Sequence, residues 1–332
     1  MRAVVLVGGF GTRLRPLTDD VPKSMLPVGH EPMISRLVGR LVEGGVADVT
    51  LALGFKAEPF LAAFPDGRCR GARLDYAVEP EPLDTAGAIR FAAGHSAIDT
   101  TFVVVNGDII TDLDISVLLA VHRAAGAEAT IHLTPVADPS SFGVVELDGG
   151  GRVARFVEKP PPGSTTSDLI NAGTYVIEPS VLDRIPAGRP VSLERQTFPD
   201  LVGDAGLYAV ATDDYWIDAG QPEPYLRANL DLVNGKRGLR VDPIAPGADV
   251  DPSAEVEGSL VGSGAVVGPG ARVTDSVVLP GADVGHGAIV TRSIVMGRVG
   301  PDAVVRDAVI GAHGDVPRGT TLVGARLPSP PE

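Results

Sequence analysis

Residues 4–27 read VVLVGGFGTRLRPLTDDVPKSMLP. The run from Val4 to Val7 is short and apolar, the composition of a strand buried on both faces. It enters a turn built on Gly8, Gly9 and Gly11, where missing Cβ atoms let backbone N–H groups approach a polyanion. Thr12, Arg13 and Arg15 follow, and then Pro22–Lys23. The planar fork of Arg and the point charge of Lys are cations that such a cradle sets against phosphate oxygens. Buried strand, glycine loop and cations, in that order, predict an α/β fold with a phosphate-binding loop at a strand end. Taken alone, the glycine pattern also fits a solvated turn, so the cations that follow carry the reading.

Working outward, Ala3–Val7, Val49–Leu53, Leu74–Val78 and Phe102–Val105 have strand composition. Met33, Ile34, Leu37, Val38, Leu41 and Val42 recur at helical spacing between them, and Gly44–Gly45 stops that helix. Residues 115–125 and 222–233 give two more helices. The alternation predicts a doubly wound layer with a mixed, mostly parallel sheet over residues 1–234. The later runs, 129–136, 142–147, 152–158, 172–177 and 207–211, are expected as antiparallel additions covering the ligand-bearing edge.

After a linker at 235–249 the pattern changes to an internal repeat over 250–325. Rows begin at Val250, Val267, Val284, Val299 and Val316, at offsets of 17, 17, 15 and 17. In the first four, alanine stands four residues on (Ala254, Ala271, Ala288, Ala303), then a valine, then an apolar pair. Three apolar rungs per row, with Gly, Pro and Asp between them, are the hexapeptide repeat of a triangular β-helix coil. Residues 326–332 are expected to be a disordered tail.

The composition narrows the partners. A formal net charge of −14 argues against nucleic acid or an anionic membrane, which need a broad basic surface. A single cysteine, Cys69, excludes a disulfide framework, and it is expected among exposed arginines. The six histidines (30, 95, 122, 132, 286 and 313) show no ligand spacing and read as surface or loop residues. No basic leader and no run of membrane length stands at the N-terminus, so a cytoplasmic protein is expected. The β-helix has coil ends that need covering, so a homo-oligomer is expected.

Asn106–Gly107–Asp108 directly follows a strand, where ligands of open α/β sheets bind. A carboxylate placed there suits Mg²⁺, although an Asx turn fits Asp108 equally. Asp218, in the run Trp216–Asp218, is a polar residue on an apolar strand and needs either a metal or a hydrogen bond. Glu158 and Lys159, adjacent at a strand end, are expected to face opposite sides, Lys159 toward a monophosphate and Glu158 toward a sugar hydroxyl. A plain surface charge is the other reading. Asn171–Ala172–Gly173 is expected to open the next strand with an amide available to hydroxyls. No nucleophile-plus-base pair is visible, which fits direct displacement at phosphorus.

Together, GGFGTRLRPLT, PKSMLPV, EPLDTAGAI, VVNGDI, FGVVELDGGGRVARFVEKP, INAGTYV and YWIDAGQPEPY resemble the sugar-1-phosphate nucleotidyltransferase family over nearly the whole chain. The resemblance implies a Rossmann-like nucleotidyltransferase domain followed by a short left-handed parallel β-helix. It further implies that Gly8, Gly9, Gly11, Thr12 and Arg13 hold a nucleoside triphosphate, and that Lys23 contacts the phosphates about the α-phosphorus. Asp108 and Asp218 would bind Mg²⁺. Lys159 would hold the sugar phosphate, and Gly143, Glu158, Asn171 and Gly173 would line the sugar. Glu79, Asp84, Thr85 and Gly87 would face the base. The reaction implied is transfer of a nucleotidyl group, from GTP to mannose-1-phosphate, with release of pyrophosphate. Transfer from dTTP or UTP to glucose-1-phosphate or another hexose or cyclitol phosphate stays open, as does a non-catalytic regulatory subunit that binds sugar nucleotides. Guanine presents two adjacent donors that one carboxylate accepts, which makes Glu79 the candidate reader, with Asp84 or Glu81 as substitutes. Two residues depart from the family pattern: Ser24 replaces a proline after the lysine, and Asp84 replaces a glycine before Thr85.

Overall fold

A computed structural model describes residues 1–54, 57–236, 238 and 240–329. The chain folds as two compact units, Met1–Gly9 with Ile34–Trp216, and Phe10–Met33 with Ile217–Glu332.

The first unit is built on a ten-stranded sheet. Its main elements are β1 (Arg2–Leu6), α1 (Met33–Glu43), β2 (Asp48–Leu53), β3 (Ala72–Val78), α2 (Asp84–His95), β4 (Phe102–Asn106), α3 (Ile115–Ala125), β5 (Ala129–Pro135), β6 (Gly143–Leu147), β7 (Val153–Glu158), β8 (Leu169–Ile177) and β9 (Leu207–Ala211). Strands β4, β1, β2 and β3 lie side by side and parallel. Val4, Val5, Leu51, Ala52, Val103 and Val104 are fully buried, because helices cover both faces of a parallel sheet and the strands must be apolar throughout. The α2 helix turns Ala86, Ile89, Ala92 and Ala93 into the core.

Of the later strands, β6, β7 and β8 pair antiparallel as expected, but β9 runs parallel to β5. The helical turns between β8 and β9 carry the chain back to the same end of the sheet, so β9 enters in the direction of β5. Strand β8 begins at Leu169 and is broken by a register shift between Asn171 and Tyr175, so Asn171 lies inside it.

Three corrections concern burial. Cys69 is buried, because the two-residue strand Arg68–Cys69 folds back on β3. His122 and His132 are buried as well. His122 faces inward from α3, with Thr130 Oγ1 and Glu178 Oε1 each 2.9 Å from its ring nitrogens. His132 stands on the buried strand β5, with Nε2 2.8 Å from Thr212 Oγ1.

In the second unit, the helix α4 (Pro222–Val233) precedes fifteen short strands in three five-stranded parallel sheets. These form the left-handed β-helix, with equivalent rungs at Asp249–Val250, Val266–Val267, Asp283–Val284, Arg298–Val299 and Asp315–Val316. Val267, Val284, Val299 and Val316 line the interior, as do Ala271, Ala288 and Ala303. Fully or almost fully buried Ser259, Ser276 and Ser293 form a ladder that the apolar pattern concealed. Ser259 Oγ accepts the Ser276 N–H, Ser276 Oγ the Ser293 N–H, and Ser293 Oγ the Ala308 N–H. Each hydroxyl therefore satisfies a backbone donor of the next coil. Arg326–Leu327 pair with Val309–Ile310, so the last rung enters the stretch expected as tail, while residues 330–332 lie outside the described residues.

The excursion Phe10–Met33 is tied down within this unit. Asn229 Oδ1 accepts the Gly29 N–H at 2.8 Å, and Tyr225 donates its hydroxyl to the carbonyl of Pro27.

Candidate functional site

In the first unit the candidates converge on the carboxyl ends of the parallel strands. Gly8 follows β1, Gly54 follows β2, Glu79 follows β3, and Asp108 follows β4. Val7 N–H donates to Ala52, Gly107 N–H to Leu6 and Glu79 N–H to Leu53, so all four chain ends are fixed to one another. A Cβ on Gly54 would lie 2.6 Å from the carbonyl oxygen of Gly8, which explains why this edge is built from glycine. Asp108, in the turn after β4, is buried at 7% exposure.

Glu79 is also buried, and burial pushes its carboxyl above the usual range, against the opposing effect of the Leu83 N–H. Oε2 accepts that N–H at 2.9 Å, and Oε1 lies 3.3 Å from where a Cβ of Gly8 would stand. Glu79 therefore closes the turn into α2, a role the sequence did not reveal, while Oε1 faces the glycine loop. Asp84 has φ +58°, the left-handed region, which accounts for the glycine that the family resemblance sets there. Its Oδ1 accepts the Thr85 N–H. The hydroxyl of Thr85 donates to Glu194 Oε2 and accepts the Leu193 N–H, and a Cβ on Gly87 would meet Leu83 at 2.9 Å. These two residues tie α2 to the turn at 191–194.

A second cluster in the same unit gathers the residues assigned to the sugar. Gly143 pairs with Glu158 across β6 and β7, and a Cβ there would lie 3.0 Å from Glu158 Oε2. Continuing the β6–β8 register from Val144 and Ile170 sets Asn171 on the other side of Gly143. Asn171 Oδ1 accepts the Gly173 N–H, and its Nδ2 donates to Tyr175. Gly173 has φ +76°, and a Cβ there would strike Asn106 Nδ2 at 2.8 Å. Trp216 donates to the Ala172 carbonyl at 2.8 Å and packs edge-on against Phe142. The structure thus brings Gly143, Glu158, Asn171 and Gly173 together.

Lys159 departs from expectation. Its φ of +49° ends the alternation of β7, so its ammonium swings to within 3.8 Å of Glu158 Oε1 instead of facing away. The ammonium stays largely exposed, while Glu158 is mostly buried. Burial, with Glu194 nearby, holds the Glu158 carboxyl above its ordinary range, and Lys159 and Arg195 oppose this. Glu194 was not found from sequence. It accepts from Thr85 and Ser192, residues far apart in the chain, and no local pattern marks such a role.

The second unit holds Gly11, Thr12, Arg13, Lys23 and Asp218. Gly11 has φ +64°, and its carbonyl accepts the Thr18 hydroxyl and the Leu14 N–H, which rolls residues 11–18 into a tight turn. Leu14 and Leu17 are buried beneath it, so Thr12 and Arg13 stand exposed. Arg15 pairs with Asp19 at 3.6 Å. Lys23 opens a short 3-10 turn whose next residue, Ser24, is fully buried with no partner for its hydroxyl among the described residues. Asp218 Oδ1 accepts the Gly220 N–H at 2.8 Å. Among the described residues no group of three or more His, Cys, Asp or Glu side chains gathers as a metal cage.

Comparison with known proteins adds to this geometry. The profile of the family described as Nucleotidyl transferase matches residues 2–235, and that of the GlmU-like C-terminal hexapeptide matches 233–299 and 248–327. The chain is 43% identical over 268 residues to the mannose-1-phosphate guanylyltransferase of Mycobacterium tuberculosis, covering 78% of this chain and 74% of that protein. It is 39% identical over 267 residues to the mannose-1-phosphate guanyltransferase of Schizosaccharomyces pombe, covering 77% and 73%. The crystal structure of HddC from Yersinia pseudotuberculosis complexed with GMP-PN superposes with a TM-score of 0.58 at 29% identity, covering 69% of this chain and 97% of that one.

Proposed function

This chain belongs to the nucleotidyl transferase family, and from that premise we propose that it transfers a guanylyl group from GTP to mannose-1-phosphate, releasing pyrophosphate. The observation that carries the reading is the likeness to two curated enzymes of that activity along most of both chains. The structural relative solved with GMP-PN supports the guanine base.

In this proposal an oxygen of the sugar phosphate attacks the α-phosphorus in line. The new P–O bond forms as the bond to the β-phosphate oxygen breaks, and pyrophosphate leaves. The Gly8–Thr12 loop and Arg13 hold the triphosphate, Lys23 meets the phosphates at the reacting phosphorus, and Lys159 holds the sugar phosphate. Glu158, Asn171 and the backbone at Gly143 and Gly173 position the sugar hydroxyls. Oε1 of Glu79 accepts from guanine. Asp108 and Asp218 supply hard oxygen donors, the ligand type a divalent ion takes when substrate phosphates complete its shell. We assign them to Mg²⁺, which when bound offsets charge building on the departing oxygens.

We further propose a cytoplasmic homo-oligomer; among the described residues no helix is long and apolar enough to cross a membrane. Replacing Glu79 by Gln and comparing GTP with UTP and dTTP tests the base assignment. The expected outcome is a loss of preference for GTP, and an unchanged preference removes Glu79 from the scheme. Lys159→Met should raise KM for the sugar phosphate and leave KM for the nucleotide alone.

A further inference from the structure

The turn that carries Thr12 and Arg13 is fastened to the far end of the β-helix. Arg326, in the last rung, donates from Nη1 to the carbonyls of Arg13 and Arg15, each at 3.0 Å. Beside it, a Cβ on Gly311 would lie 2.7 Å from Pro16 Cβ and 2.8 Å from its carbonyl oxygen, so the loop rests directly on the coil backbone. His313 Nε2 lies 2.7 Å from Asp20 Oδ2. Three contacts from the last two coils therefore span residues 13–20, and they connect positions some three hundred residues apart in the chain.

We propose that Arg326 is a positioning residue for nucleotide binding: by holding the carbonyls of Arg13 and Arg15 inward, it fixes the loop so that the Thr12 and Arg13 side chains stay outward. A guanidinium suits this task because one cationic donor group can serve two carbonyls at fixed geometry, where an ammonium on a flexible stem is less well preorganised. The carbonyls are also the groups that would repel a polyphosphate if the turn rolled over, so occupying them with a cation removes that repulsion. The β-helix then acts in the chemistry of the other end of the sequence. This inference rests on the reading of the Gly8–Arg15 loop as the triphosphate cradle.

The test compares the full-length wild type with Arg326→Met, which keeps the apolar stem, and Arg326→Lys. Steady-state kinetics with GTP, mannose-1-phosphate and Mg²⁺, GTP affinity by calorimetry, and hydrogen exchange at the Leu14 and Leu17 amides are measured. For Arg326→Met the expected results are a KM for GTP raised roughly tenfold, the low end for one bond to a charged group because both bonds are solvent-exposed, an unchanged KM for the sugar phosphate, and faster exchange. Arg326→Lys should restore part of the loss. An unchanged KM for GTP overturns the proposal, and so does a rise in both KM values together with a lower melting temperature, because Arg326 would then only support the fold. Should the wild type form no product with any substrate pair, the proposed function fails, and calorimetry decides this inference separately: GTP affinity equal in wild type and Arg326→Met overturns it.

Discussion

Lowering the pH should destabilise the first unit through one residue, His132. Its ring is fully buried on β5, Nε2 meets Thr212, and Nδ1 has no partner among the described residues. Burial penalises the charged ring and depresses its pKa from 6.5 to about 4, with the negative charge of Asp214 opposing the shift. A depressed folded value means that the unfolded chain binds the proton first. The contribution is thus present above pH 6.5 and is lost as pH falls toward about 4. Linkage between those two values gives a loss of about 2 kcal/mol on going from about pH 7 to about pH 5. The assay is urea unfolding followed by the fluorescence of Trp216, the only tryptophan, which sits in the same unit. His132→Gln provides the control, since it keeps a polar group near Thr212 without titrating in this range. The wild type should lose stability between the two pH values, and the variant should lose about 2 kcal/mol less. Equal pH dependence in the two proteins would refute the reasoning.

Ser24→Ala should raise stability by about 1 kcal/mol in denaturant titration, because it removes a buried hydroxyl that has no partner among the described residues. Asp84→Ala should cost about 1 kcal/mol, while Asp84→Gly should be tolerated, since alanine resists the left-handed backbone that glycine accepts. Gly173→Ala should raise KM for the sugar phosphate more than for the nucleotide, because its Cβ would displace Asn106 beside Asn171.

Much of this structure was legible because it is written locally. Apolar runs of strand length located the parallel strands, with glycine and Asn–Gly–Asp at their ends, while Glu–Lys–Pro ended an antiparallel strand. The valine–alanine register of the repeat located the rungs of the first four rows, but not those at Thr321–Val323 and Arg326–Leu327. What escaped depends on tertiary contact or on a single backbone angle. The left-handed turn at Lys159 reversed a prediction from strand alternation, and nothing in Glu–Lys–Pro announces it. His122 and His132 are polar residues in apolar surroundings, and only the packing of α3 and β5 shows which polar atoms meet their rings. Glu194 joins segments that meet only after the chain has folded. The same holds for the attachment of residues 13–15 to Arg326, which no window of sequence can contain.

The most direct measurement is pyrophosphate release by the purified chain with Mg²⁺, across GTP, dTTP, UTP and ATP against mannose-1-phosphate, glucose-1-phosphate and a cyclitol phosphate. GTP with mannose-1-phosphate should give the highest kcat/KM, and the product should be GDP-mannose. A preference for a pyrimidine nucleotide with glucose-1-phosphate, or no release with any pair, would contradict the assignment.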